Sequence, residues 1–149
     1  MGYIPEDAEW YLAELVMEIT VHGGRCNVIH RNLTLINAHS PDEAYSRAIR
    51  VGQEGETRYK NPKDQLVEIR FRGISRLNVV YEPFEDGSEL LFEEELSLTE
   101  FEIQRMIPAK RDLAVFTPPR PGEEHDPDYR SKAVMQEAVN LVKKVRPDE

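Results

Sequence analysis

Residues 10–21 read Trp10-Tyr11-Leu12-Ala13-Glu14-Leu15-Val16-Met17-Glu18-Ile19-Thr20-Val21. Every odd position after Trp10 is apolar, whereas Glu14, Glu18 and Thr20 interrupt the even set. A period of two sends alternate side chains to opposite faces and predicts a half-buried strand. Ala, Glu, Leu and Met also favour helix, but His22-Gly23-Gly24-Arg25 follows as a hairpin turn signal, and residues 27–38 supply a partner strand. The fold is expected to start from this hairpin.

Outward from it, Ser40-Pro41-Asp42-Glu43 has the form of a capping box. The Ser40 hydroxyl can accept from the Glu43 amide, Pro41 suits the first helical position, and the Glu43 carboxylate can return the bond. The helix that follows places Ala44, Tyr45, Ala48 and Ile49 on one face, with Gly52 or Gly55 available to end it in a left-handed conformation. A helix this short needs a sheet beneath it. After the polar loop Asn61-Pro62-Lys63-Asp64, Val67, Ile69 and Phe71 alternate with charged residues, Gly73 marks a bulge or bend, and Leu77, Val79 and Tyr81 continue an extended face. Glu85-Asp86-Gly87 then reads as a turn into a further strand carrying Leu90, Phe92, Leu96 and Leu98, with Glu93 and Glu95 on its other face.

A second capping box, Thr99 to Glu102, opens a short helix through Ile107 that Pro108 limits, and residues 113–116 suggest an extended piece. Four prolines within 117–127 read as a semi-rigid linker. Residues 131–145 form an amphipathic helix with Val134, Met135, Ala138, Leu141, Val142 and Val145 on one stripe and Lys143, Lys144 and Arg146 near its C-terminus, where cations complement the helix dipole. That stripe must pack on its own domain or on another subunit. The expected organisation is a compact domain over 1–116, a linker over 117–130 and the terminal helix over 131–149. The expected fold is α+β: an antiparallel sheet of four or five strands in β-β-α-β-β order, one face covered by the capped helix.

The charge is uneven. The 149-residue chain carries a net −9, and residues 82–104 hold nine carboxylates and no Lys or Arg. Such a balance disfavours phosphate backbones, so nucleic acid is not an expected partner. No apolar run approaches the roughly 18 residues of a membrane span, and residues 1–9 lack the order of a signal peptide; the expected location is cytoplasmic. The single cysteine, Cys26, excludes an internal disulfide. His22, Cys26 and His30 are spaced by four but lack a fourth ligand and sit around a hairpin turn, and neither His39 nor His125 adds to them, so no metal or cofactor is expected. No phosphate-binding glycine loop and no nucleophile, base and acid at a recognisable spacing occur.

Trp10 to Leu15, Asn32 to Ile36, the Ser40 to Tyr45 helix entry, Gly55 to Tyr59 and the Phe71 to Tyr81 strand together resemble a family of small bacterial proteins classed as a domain of unknown function, number 4288 in that series, over roughly residues 10–105. The resemblance implies a bacterial cytoplasmic protein and supplies no activity or catalytic residues. The leading expectation is a non-catalytic interaction or regulatory module, immunity-like in that a small acidic protein would match a basic target. Glu85, Asp86, Glu89, Glu93 and Glu95 would form its partner-binding face, and the terminal helix would serve self-association as a homodimer. The alternative is a small-ligand binder or enzyme with a pocket between helix and sheet, lined by Tyr45, Tyr59, Arg70 and Glu94. Glu94 shares a predicted face with Phe92 and Leu96, and burial there would require an Arg or Lys partner or a raised pKa.

Overall fold

A computed structural model describes residues 4–120, 122 and 126–145. The readings placed on residues 1–3, His125, Arg146 and part of the proline-rich stretch lie outside the described residues. Contacts divide the chain into two units, one comprising residues up to Leu91 together with those from Pro127, the other Phe92–Asp126.

The first unit holds an α+β fold. Strand β1 (Trp10–Val21) and strand β2 (Val28–Asn37) form the expected hairpin, paired from Trp10↔Asn37 to Ile19↔Val28. Helix α1 (Pro41–Glu54) follows, then β3 (Thr57–Lys60) and β4 (Leu66–Val79). All pairings are antiparallel, and the order across the sheet is β2-β1-β4-β3. The β-β-α-β-β succession stands, but the strand expected from Val67 onward is its last member, and a short strand before it supplies the other. β3 occupies a stretch for which no element was expected, and β4 runs continuously through Gly73 as the expected bulged strand. Residues 90–98 form no strand. Ser97 takes a left-handed φ of 60°, which breaks an extended run before Leu98.

The Ser40 hydroxyl accepts from the Glu43 amide at 3.1 Å, while the Glu43 carboxylate takes the His39 amide at 3.0 Å rather than that of Ser40. Gly55 ends α1 in a right-handed conformation, φ −78°, so no left-handed cap is used. The helix seats Ala44, Ala48 and Gly52 on the sheet, and Tyr45 turns outwards. Beneath it, Tyr11, Ala13, Leu15, Ile36, Ala38 and Val79 complete the main core. A second cluster, Ile19, Val21 and Val67, lies at the other end of the same face, with Val28, Tyr59 and Ile69 packed against it.

The returning C-terminal segment is tied at that second end. Asn61, fully buried in the β3–β4 turn, donates from Nδ2 to the Asp128 carbonyl and to Gln65 Oε1, both at 2.9 Å. Its Oδ1 accepts from the amides of Lys63 (3.0 Å) and Gln65 (2.9 Å). The Tyr59 hydroxyl donates to the Tyr129 carbonyl, Lys132 pairs with Asp64 at 2.5 Å, and the Tyr129 ring meets His30 edge-on at 5.7 Å. Helix α3 (Lys132–Val145) then begins, and none of its residues is buried. Met135 is half-buried, but Val134, Leu141, Val142 and Val145 are exposed, so the apolar stripe is not spent on this domain.

The second unit contains helix α2 (Glu100–Met106), which starts on a complete capping box between Thr99 and Glu102, and two 3-10 turns at Lys110–Asp112 and Ala114–Phe116 where an extended piece was expected. None of its described residues is buried.

Candidate functional site

Strand β1 is central, and its even positions face away from α1. The side chains on this open face follow from the registers. Leu12, Glu14, Val16, Glu18 and Thr20 stand opposite Leu35, Leu33, Arg31 and Ile29 of β2 on one side, and Asn78, Arg76, Arg70 and Glu68 of β4 on the other, with Arg58 of β3 beyond. Two β-bulges interrupt the β1–β4 ladder: Ser75 is the extra residue between Glu14↔Arg76 and Leu15↔Ile74, and Arg72 the extra one between Val16↔Gly73 and Met17↔Phe71. Gly73, at φ 142°, takes the bend that other residues rarely adopt.

The first bulge builds a seat for Glu14. Although charged, it is only 4% exposed. Ser75 Oγ donates to its carboxylate at 2.6 Å, Arg31 Nε at 2.8 Å and an Arg76 guanidinium nitrogen at 3.2 Å. Burial of a carboxylate is tolerated when its oxygens are met in this way. The Ser75 hydroxyl is the main cause holding the Glu14 pKa below its ordinary 4.5; burial opposes it, and the Arg31 and Arg76 guanidinium groups add to the lowering. A depressed folded-state pKa contributes stability that is present above the unfolded value and lost as pH falls through the folded one. Thermal melts from about pH 7 to about pH 3 are expected to show that loss. Glu14→Gln, which cannot titrate, should lower the melting temperature at neutral pH and flatten the acid limb; an unchanged limb would remove Glu14 from the account. Sequence reading passed over this residue. The available signal was an acid centred among Leu12, Val16 and the alternating apolar positions, with arginines on later strands.

Around this seat the open face is basic and apolar. Arg31, Arg58, Arg70, Arg72 and Arg76 share it with Glu14, Glu18 and Glu68; Arg72 lies 3.6 Å from Glu18, and Arg58 is 3.2 Å from Glu68. On β2 the apolar side chains of Ile29, Leu33 and Leu35 are 48%, 59% and 45% exposed.

The other face carries a cleft of about 300 Å³ between the C-terminal turns of α1 and the sheet. Leu15, Met17, Ile19 and Ile69 form its floor, Val51, Gly52 and Gly55 one wall, and His30, Asn32 and Thr34 of β2 a polar rim. The pocket expected from sequence is not assembled there. Arg70 belongs to the open face, Tyr45 points outwards, and Glu94, expected to line the pocket, is exposed in the second unit. Tyr59 is partly buried, and its hydroxyl pKa is raised by that burial, then by Tyr129 and Asp128. Glu85, Asp86, Glu89, Glu93 and Glu95 are all exposed, but no strand aligns them; the first three lie in the first unit and the last two in the second. Glu82 folds back to accept the Glu89 amide at 3.0 Å, and Phe84 packs edge-on against Trp10 at 5.5 Å. Among the described residues no three His, Cys, Asp or Glu side chains group as metal ligands, and no helix is long and apolar enough to cross a membrane.

A family model described as a domain of unknown function, DUF4288, matches residues 10–92. The chain belongs to the DUF4288 family. The match ends at Phe92 rather than near residue 105, where the first unit gives way to the second. The DUF4288 region therefore contains the whole sheet, α1, both bulges and the Glu14 seat, and leaves out the second unit and the returning C-terminal segment. No curated protein and no solved structure matches the chain.

Proposed function

We propose that the DUF4288 domain is a non-catalytic protein-interaction module whose working surface is the open face of its sheet. The observation that supports this reading is the row Ile29, Leu33 and Leu35 lying exposed beside the arginines of the same face. Exposed apolar side chains rimmed by charge are the composition of a docking surface. Their partner would present apolar and acidic side chains. The Glu14 carboxylate, held by three donors, acts as a fixed strut that orients Arg31 and Arg76 rather than as a proton donor or acceptor.

A second reading, a small-ligand site, is favoured by the cleft with its His30, Asn32 and Thr34 rim above an apolar floor. One experiment separates the two. The purified chain and its Arg70→Glu/Arg72→Glu variant are used as baits in host lysate, with bound proteins identified by mass. The open-face reading expects a specific protein that the variant loses by at least about tenfold while its melting temperature stays within a few degrees. Equal capture by both baits would remove the open face as the working surface, and no capture with ligand-induced stabilisation of both would favour the cleft.

A further inference from the structure

The two edges of the sheet are not treated alike. β3, at one edge, is four residues long and bears Arg58 and Lys60, a short charged strand of the kind that discourages pairing. β2, at the other edge, is ten residues long, contains no Pro or Lys, and among the described residues has a neighbouring strand on one side only. Its unpaired backbone groups can be located. The Ala38 amide donates to the Glu9 carbonyl at 2.9 Å, so the even residues of β2 direct their backbone groups to β1, and Ile29, Arg31, Leu33, Leu35 and Asn37 direct theirs outwards.

We infer that the β2 edge pairs antiparallel with β2 of a second copy of this chain, about a two-fold axis at Thr34. The strand is self-complementary in that register. Leu33 and Leu35 exchange outward backbone hydrogen bonds with Leu35 and Leu33 of the second copy, and Arg31 meets Asn37. Thr34 faces Thr34 as a non-hydrogen-bonded pair, the arrangement in which side chains approach most closely. The four leucines gather on the open face, where each is about half exposed in the single chain. β2 carries no carboxylate, and its one cation, Arg31, stands six residues along the ladder from its symmetry mate, about 20 Å away at 3.3 Å per residue. The axis is perpendicular to the sheet, so both α1 helices lie on one side of an eight-stranded sheet and both open faces on the other. The pairing rests on the open-face reading to this extent: it joins two such faces into one platform.

The test uses the purified full chain alone. Cys26 is exposed and is first replaced by Cys26→Ser. Light scattering is expected to give a dimer, and Thr34→Cys in that background a disulfide-linked dimer on mild oxidation, while Asn32→Cys stays uncross-linked. Leu33→Pro deletes an outward amide that β1 does not use and is expected to yield a monomer. If proline disturbs the fold, Leu33→Lys/Leu35→Lys, which sets four cations together, provides the second route to the monomer. A monomeric parent chain overturns the pairing, as does a dimer that survives both edge variants, and cross-linking at Asn32 instead of Thr34 overturns the register. A monomer that still captures a partner through Arg70 and Arg72 overturns the pairing alone and leaves the open-face reading standing.

Discussion

Asn61→Ala is expected to lower the unfolding free energy by about 3 kcal/mol and to release the C-terminal segment. Every hydrogen-bonding position of this side chain is occupied, and the residue is fully buried. Alanine would leave the amides of Lys63 and Gln65 and the Asp128 carbonyl without their partner, and unmet buried polar groups cost about 1–3 kcal/mol each. The loss has two separable parts. The turn amides hold the β3–β4 turn, whereas the Asp128 bond, beside that of Tyr59 to Tyr129, ties the returning segment to that turn. Chemical denaturation reads the sum, and hydrogen exchange across residues 126–145 reads the second part. Protection there that matches the parent chain would show that Tyr59, His30 and Asp64 hold the segment without Asn61.

Gly52→Ala should destabilise the domain by about 1–3 kcal/mol although alanine is the better helix former by about 1 kcal/mol. A Cβ at this position would lie 2.5 Å from two carbons of the Phe71 ring and 2.7 Å from a third. The ring lies across the glycine, so helix and sheet must separate or Phe71 must leave its place in the main core. Gly52→Val, with more bulk on the same carbon, is expected to lose more. Coupling separates the clash from any local helix effect: in a Phe71→Leu background the cost of Gly52→Ala should shrink by roughly half or more. A cost unchanged by Phe71→Leu would place the damage elsewhere.

The hairpin and the capped helix were legible because each announces itself locally, one through twelve residues of alternation followed by Gly23-Gly24, the other through Ser40-Pro41-Asp42-Glu43. β3 was not, since four residues, Thr57 to Lys60, are too few for a pattern and become a strand only by pairing with Leu66 to Ile69. β4 was legible as an extended face with a bulge or bend at Gly73, but the other bulge, at Ser75, was not, since each adds a residue and resets the alternation. Leu90 to Leu98 misled in the opposite sense: alternation specifies which residues would share a face, not that a neighbouring strand exists to receive them. The acidic residues stood out because they are dense in sequence. The meeting of Glu14, Ser75, Arg31 and Arg76 from three strands did not, a juxtaposition set by two registers and a bulge that no single stretch of sequence shows.

The central position of β1 sets an order of events during synthesis. It emerges before the other three strands of its sheet, yet one of its two neighbours, β4, begins 45 residues after β1 ends. At roughly 5–20 residues per second, the nascent hairpin waits for several seconds with one side of β1 unpaired. Throughout that interval Tyr11, Ala13, Leu15, Met17 and Ile19 lack their eventual same-face neighbours on β4, and the side of β1 that β4 will later occupy is equally able to accept a strand from a neighbouring nascent chain.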